Sequence, residues 1–223
     1  ALVLTSDSLT TVGLDDPSAP EIAGTAPAPT AVALAAGAGY ACVLDARGLS
    51  VLDTTDPTVL PTTGTITTTA RAEALALAGD VAWVADGTQL VGVDVSAPAA
   101  PRLVARHEFG NPAAYPGLTG SYYRALAGTT SHLYALGPNM ANGYPIAPKL
   151  SIFDVADPAH PVELGRLTVA VGADALETDG MRLVVLRHGY WPERADPTGQ
   201  VGDGFLQWFD LTDPVHPRKI LEV

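Results

Sequence analysis

Apolar residues along this chain come in short bursts, cut every 8–12 positions by Gly, Pro, Asp or Ser. No 3.6-residue stripe persists, so the pattern predicts strands and argues against helices. Two such bursts, Glu73-Ala-Leu-Ala-Leu-Ala78 and Val81-Ala-Trp-Val-Ala85, flank a Gly79-Asp80 turn, and Leu90-Val-Gly-Val-Asp94 follows them. That last segment recurs. Leu9-Thr-Thr-Val-Gly13, Leu49-Ser-Val-Leu-Asp53, Leu150-Ser-Ile-Phe-Asp154 and Leu206-Gln-Trp-Phe-Asp210 share its shape. Four residues after each stands a proline: Pro17, Pro57, Pro98, Pro158 and Pro214. An aspartate precedes it at Asp16, Asp56, Asp157 and Asp213, with Ala97 the exception. A second proline follows three residues on at Pro20, Pro101, Pro161 and Pro217, and one place late at Pro61.

Each unit has a direct physical reading. The Leu-x-x-x-Asp run is short, apolar and partly β-branched, which suits a strand. Asp-x-x-Asp-Pro is turn chemistry, because Asp accepts from nearby backbone N–H groups and proline presets φ. Behind it, Glu21-Ile-Ala-Gly, Arg102-Leu-Val-Ala-Arg and Val162-Glu-Leu-Gly-Arg alternate as an edge strand does. With two strand-like runs before each Leu-x-x-x-Asp, the repeat carries four strands in roughly 40–45 residues, which predicts the blades of an all-β propeller. Five blades are expected, at about 1–27, 28–68, 69–110, 111–170 and 171–223. Ala1-Leu-Val-Leu reads as the second strand of the first blade, whose inner strand is missing from the run. A longer propeller, or a neighbouring chain or domain that completes the blade, is the expectation this raises.

The repeat resembles the LVIVD repeat of bacterial and archaeal cell-surface or secreted proteins. The resemblance rests on Leu-x-x-x-Asp with its spaced Asp-Pro and covers nearly the whole chain. Gly13 stands where Asp is expected, and Ala97 departs in the third unit. The resemblance implies a propeller and a surface or secreted location; it implies no chemistry.

Composition narrows the partners. Among 223 residues, 24 acids outweigh 12 Lys and Arg for a net charge of −12, which disfavours nucleic acid and anionic membranes. No apolar run approaches the ~20 residues of a membrane-spanning helix. Eight acids (Asp16, Asp53, Asp56, Asp94, Asp154, Asp157, Asp210, Asp213) fall to turns, so the acidity is partly architectural. Cys42, the single cysteine, lies in the apolar run Tyr40-Ala-Cys-Val-Leu44 and reads as a buried thiol.

Strand parity places the candidate chemistry. Three insertions, His107–Tyr123, Gly137–Lys149 and Arg187–Gly204, project from one face and carry Tyr115, Tyr122, Tyr123, Tyr144, Tyr190 and Trp191. Loops gathered on one face of a rigid scaffold are where binding usually resides; the same aromatics would also serve as the loops' own small core. Innermost strands open as Val32-Ala-Leu, Glu73-Ala-Leu, Arg124-Ala-Leu and Asp174-Ala-Leu. Glu73, Arg124 and Asp174 are therefore expected around the central mouth on that face, as a ligand site or as a structural ion-pair ring. The candidate ligand residues are Glu73, Tyr122, Tyr123, Arg124, Asp174, His188, Tyr190 and Trp191.

The other candidates are bland. His160 and His216 share one repeat position and read as structural, and His132 as a half-buried strand imidazole. His107 and His188 lie at insertion bases without metal-ligand spacing. Asp196-Pro-Thr-Gly-Gln-Val-Gly-Asp203 suggests a calcium loop but lacks its residue order, so the expectation is no cofactor, with calcium as the alternative. The sequence holds no nucleophile elbow, phosphate loop or zinc-protease motif. The favoured function is a non-enzymatic propeller that binds a protein or glycan through the insertion face. Its rivals are a hydrolase or lyase with Glu73 or Asp174 as base and Arg124 as clamp, and a structural module of a larger surface assembly.

Overall fold

A computed structural model describes residues 1–5, 7–68, 72–87, 89–108, 123–137, 140–141, 144–145, 148–187 and 204–223. Among them there is no helix; five antiparallel blades follow one another in propeller order. Blade one has three strands, β1 (Leu2–Leu4), β2 (Ser8–Gly13) and β3 (Glu21–Pro27). Blade two runs β4 (Ala33–Ala36), β5 (Tyr40–Asp45), β6 (Gly48–Asp53), β7 (Thr62–Ile66). Blade three runs β8 (Ala72–Ala78), β9 (Val81–Asp86), β10 (Gln89–Asp94), β11 (Arg102–Glu108). Blade four is β12 (Ala125–Gly128), β13 (His132–Leu136), β16 (Lys149–Asp154) and β17 (Val162–Thr168), with the small hairpin β14 (Met140–Ala141) and β15 (Tyr144–Pro145) between β13 and β16. Blade five is β18 (Ala175–Thr178), β19 (Arg182–Arg187), β20 (Phe205–Asp210) and β21 (Arg218–Glu222). The innermost strands of blades two to five pack in succession, β4 on β8, β8 on β12 and β12 on β18, and β1, at the second-strand position of blade one, meets β4.

The core consists of four layers, one between each pair of neighbouring blades. Alternate residues of a strand point to opposite sheet faces, so each blade has a leading face toward its predecessor and a trailing face toward its successor. Tyr134, Leu136, Leu150 and Ile152 form the trailing face of blade four and bury against Leu183, Val185, Phe209 and Leu211 of blade five. Trp83, Ala85 and Leu90 of blade three meet Leu133, Ala135, Phe153 and Val155 of blade four in the same way. Cys42, Leu44, Leu49 and Val51 meet Ala82, Val84, Val91, Val93 and Val95. Leu2, Leu4 and Leu9 meet Ala41, Val43 and Leu52. Burial on both faces explains why middle strands such as β9 carry apolar residues at consecutive positions. It also pushes the Cys42 thiol up to about 12, which removes its reactivity.

A β-bulge recurs at one register in all five blades, between Thr11/Val12, Val51/Leu52, Gly92/Val93, Ile152/Phe153 and Trp208/Phe209. It sharpens the twist of the outer strand just where the Asp-Pro turn of the next blade approaches. Thr11 donates its hydroxyl to the Pro57 carbonyl, Thr63 to the Pro98 carbonyl at 3.3 Å, and Tyr134 to the Pro214 carbonyl at 3.1 Å. At Gly24 and Gly64 a Cβ would collide with those same Pro57 and Pro98 carbonyl oxygens.

All eight turn aspartates act as expected. Asp16, Asp53, Asp56, Asp94, Asp154, Asp157, Asp210 and Asp213 each accept from the backbone N–H two residues on, at 2.8–3.1 Å. Hydrogen bonds from Ser18, Thr55, Thr58 and Thr212 hydroxyls, reinforced by those amides, hold Asp16, Asp53, Asp56 and Asp210 below the usual carboxylate range. His160 and His216 do the same for Asp157 and Asp213 through Nδ1 at 2.9 Å, which makes both histidines structural. The Ser96 hydroxyl and then the Arg102 guanidinium bring Asp94 down to about 2.

Two predictions follow from this architecture. Gly64→Ala should lose about 1–3 kcal/mol to overpacking, whereas Gly165→Ala, where a Cβ meets nothing within 4 Å, should stay near neutral. Equal costs in urea unfolding would remove the close turn-to-blade approach from the account. The lowered aspartates give stability that is present above the unfolded value of about 3.9 and lost as pH falls through their folded values. The thermal midpoint should therefore hold from pH 7 to 5 and fall progressively between about pH 4 and 2; a midpoint that stays level through that acid range contradicts it.

Candidate functional site

Strand register decides which end of each blade carries which residues. Ala125 pairs with Leu136 and Leu136 with Leu150; Ala175 pairs with Leu186 and Arg187 with Phe205. The start of each innermost strand thus lies at the same end as the insertions after β11, β13 and β19. The backbone N–H groups of Val32, Arg124 and Asp174 donate to Leu44, Leu136 and Leu186 carbonyls at 2.8–2.9 Å, so the three occupy one repeat position. Glu73 fills that position in blade three as the extra residue of a bulge, between the Ala72–Asp86 and Ala74–Ala85 pairs. A bulge re-aims the side chain it carries, and Glu73 is exposed.

Glu73, Arg124 and Asp174 accordingly stand at equivalent places in three successive blades. Glu73 and Arg124 are exposed and form no side-chain hydrogen bond or ion pair with another described residue. Asp174 is half-buried and does have a polar partner. The ion-pair ring among the three is therefore not formed by Glu73 and Arg124. Near the bulge lies Asp86, a carboxylate 3% exposed at the end of β9. The sequence reading passed over it, although Asp86 holds the hairpin position in blade three that Asp45 holds in blade two.

Tyr123 is a correction. Its ring, 1% exposed, packs edge-on to Phe153 at 6.1 Å, and its hydroxyl donates to Ser151 Oγ at 3.0 Å. His107 meets Phe153 edge-on from another side at 6.0 Å. Both rings close the layer between blades three and four, so Tyr123 is core rather than a ligand contact. Its place beside a long insertion hid this, because the residue already belongs to the innermost-strand register. His132 is half-buried, with Nδ1 2.9 Å from Ser131 Oγ, as expected. Tyr122, His188, Tyr190, Trp191 and the Asp196–Asp203 stretch lie outside the described residues.

Two further features share this end of the blades. Arg187, at the base of the third insertion, places its guanidinium 5.1 Å above the Phe205 ring and donates to the Val171 carbonyl at 3.4 Å. Beside the β5–β6 hairpin, a cavity of about 380 Å³ is lined by Asp45, Arg47, Ser50, Thr65 and Thr67, with Asp45 and Arg47 paired at 3.2 Å. Among the described residues no group of three His, Cys, Asp or Glu could hold a metal ion, and no helix is long and apolar enough to cross a membrane.

The repeat can now be identified. Residues 30–68, 70–108 and 146–169 match the LVIVD repeat model, so three stretches of this β-propeller are LVIVD repeats. No curated protein matches it in sequence. Among solved structures, it resembles a protein from Lactobacillus plantarum with a TM-score of 0.63 and 11% identity, over 97% of this chain and 65% of that one. The Neurospora crassa Pan2 WD40 domain matches with a TM-score of 0.55 and 11% identity, over 98% of this chain and 60% of that one. The N-terminal domain of Nup159 matches at 0.51 and 9% identity, over 98% of this chain and 57% of that one. The chain spans less than two thirds of the length of each of these three, and at such identities the likeness shows the fold alone.

Proposed function

We propose that this propeller is a non-enzymatic recognition module, secreted or displayed on a cell surface, which binds a protein or glycan through its insertion-bearing end. The observation that carries the reading is the contrast between the two ends of the blades. At the Asp-Pro end, the acids are consumed by their own turns. At the other end, Glu73 and Arg124 stand exposed at equivalent positions of neighbouring blades, without an ion pair to another described residue, and three insertions whose sequences carry Tyr and Trp start from that same end. Convergent polar groups beside aromatic loops on a rigid scaffold suit recognition. The LVIVD resemblance supports the surface location.

Replacing Tyr190 and Trp191 together with Ala should abolish capture on a panel of immobilised glycans and purified surface proteins, with the thermal midpoint unchanged. Arg124→Ala should weaken the same capture. A large loss of thermal stability instead would show that those aromatics pack on one another and would sink the proposal. Turnover on a glycoside and lactone panel that disappears in Glu73→Gln would transfer the site to catalysis.

A further inference from the structure

One pair of outer-strand positions recurs through the blades, and blade two fills it differently from its successors. Strand register aligns the pairs Ser50–Thr65 and Leu52–Thr62 of blade two with Ser151–Arg166 and Phe153–Glu163 of blade four. In blade five the equivalents are Gln207–Glu222 and Phe209–Lys219. In both later blades the two outer-strand residues bridge one another. Arg166 Nε donates to Glu163 Oε1 at 2.5 Å, and Lys219 Nζ donates to Glu222 Oε2 at 2.5 Å. In blade three Leu103 and Arg106 hold the two places, and Arg106 donates to Gln89 Oε1 at 3.2 Å. Long side chains thus span this strip in blades three to five. Blade two has Thr62 and Thr65, which do not reach one another or hydrogen-bond through their side chains to another described residue.

The cavity of about 380 Å³ lies on that strip. Every described residue lining it belongs to blade two, so it depends on neither the first blade nor the last. Asp45, Ser50, Thr62, Thr65 and Thr67 share one sheet face by strand alternation and pairing. Ser50 is as free as the threonines. Its counterpart Ser151 accepts from the Tyr123 hydroxyl at 3.0 Å, and Gln207 accepts from the Ala170 N–H at 3.2 Å. Ser50 and Thr67 make no side-chain hydrogen bond with another described residue. At the rim, Asp45 Oδ1 accepts from the backbone N–H groups of Arg47 and Gly48 at 2.7 and 3.1 Å, while Oδ2 holds the Arg47 guanidinium at 3.2 Å. The two charges cancel there.

We propose that this groove is a binding site for a neutral carbohydrate, taking a mono- or disaccharide unit. Three observations select that ligand class. Ser50, Thr62, Thr65 and Thr67 offer free hydroxyls, each of which both donates and accepts, as sugar hydroxyls do. The guanidinium donors of Arg47 that Asp45 does not engage add a fixed donor edge. Because Asp45 neutralises Arg47, the groove offers no net positive charge to a phosphate or sulfate. The volume sits near the lower end of small-ligand sites, about 300–1,000 Å³, and suits a compact polar ligand. No aromatic ring is among the described lining residues, so hydrogen bonds rather than ring stacking select the ligand, and binding is weak. The site is separate from the insertion-end reading and stands whether or not the insertions bind anything.

The test is titration of the isotopically labelled whole chain with sugars, read by backbone amide shifts in nuclear magnetic resonance. The probes are methyl glycosides of glucose, galactose, mannose and N-acetylglucosamine, together with maltose, cellobiose and lactose, all in the millimolar range. At least one should shift the amides of residues 45–50 and 62–67 saturably. Thr65→Val removes one hydroxyl at nearly constant shape and should weaken that binding about two- to tenfold. Thr65→Arg installs the residue that blades three and four carry at this position and should remove binding altogether. Circular dichroism checks both folds, and Thr65→Val carries the test if the arginine variant is unfolded. Tyr190→Ala with Trp191→Ala should leave the groove shifts unchanged, so this site and the insertion-end reading fail separately. Absence of a saturable shift with every sugar overturns the proposal. Binding that is unchanged in either folded Thr65 variant, or lost in the Tyr190 and Trp191 variant, overturns it too. So does inorganic phosphate that moves the same amides at lower concentration than any sugar.

Discussion

Burial of each blade between two neighbours is the constraint from which the rest of this structure follows. A sheet covered on both faces needs apolar residues at consecutive positions, and β9 supplies them without a break from Val81 to Ala85. Innermost strands must lie close together, and β4, β8 and β12 are built largely from alanine and leucine. In blades one and two the outer strand comes close to the next Asp-Pro turn, at Gly24 and Gly64, and Thr11, Thr63 and Tyr134 donate to proline carbonyls of the following blade. The repeat is therefore a device for stacking: its strand faces make the layers, and its turns clip one layer to the next.

Stacking also separates the two ends of the molecule by chemistry. The Asp-Pro end is self-satisfied, since its carboxylates fold back onto backbone amides and hydroxyls. The insertion end bears the side chains that the repeat does not require. Glu73 at its bulge, exposed Arg124, half-buried Asp174 and Arg187 over Phe205 all begin there. Such a division is what a scaffold that presents loops would need, because changes at one end leave the clips at the other intact.

Much of this was legible in the sequence because the repeat reports its own physics. Leu-x-x-x-Asp marks the third strand, and the Asp-Pro spacing marks the turn; all eight turn acids took the predicted role. The column Val32, Glu73, Arg124, Asp174 also emerged from alignment alone. What escaped notice depends on neighbours in space. Tyr123 looked like a loop aromatic, but Phe153 and Ser151, nearly thirty residues on, make it core. The need for glycine at positions 24 and 64 comes from carbonyls one blade away. Leu14 and Leu206 fit the repeat as well as their counterparts do, and only the three-dimensional order shows that Leu14 is exposed and Leu206 half-buried.

Blade-on-blade burial is tested most directly by one pair of substitutions at a single repeat position. Leu150 lies fully buried between blades four and five, while Leu206, its counterpart in blade five, is half-buried. Equilibrium urea unfolding of dilute Leu150→Ala and Leu206→Ala chains should give a loss of about 2–5 kcal/mol for the first, in the range of buried leucine truncations, and well under half of that for the second. Equal losses would mean that the repeat is stabilised within each blade rather than between blades, and the account would be contradicted.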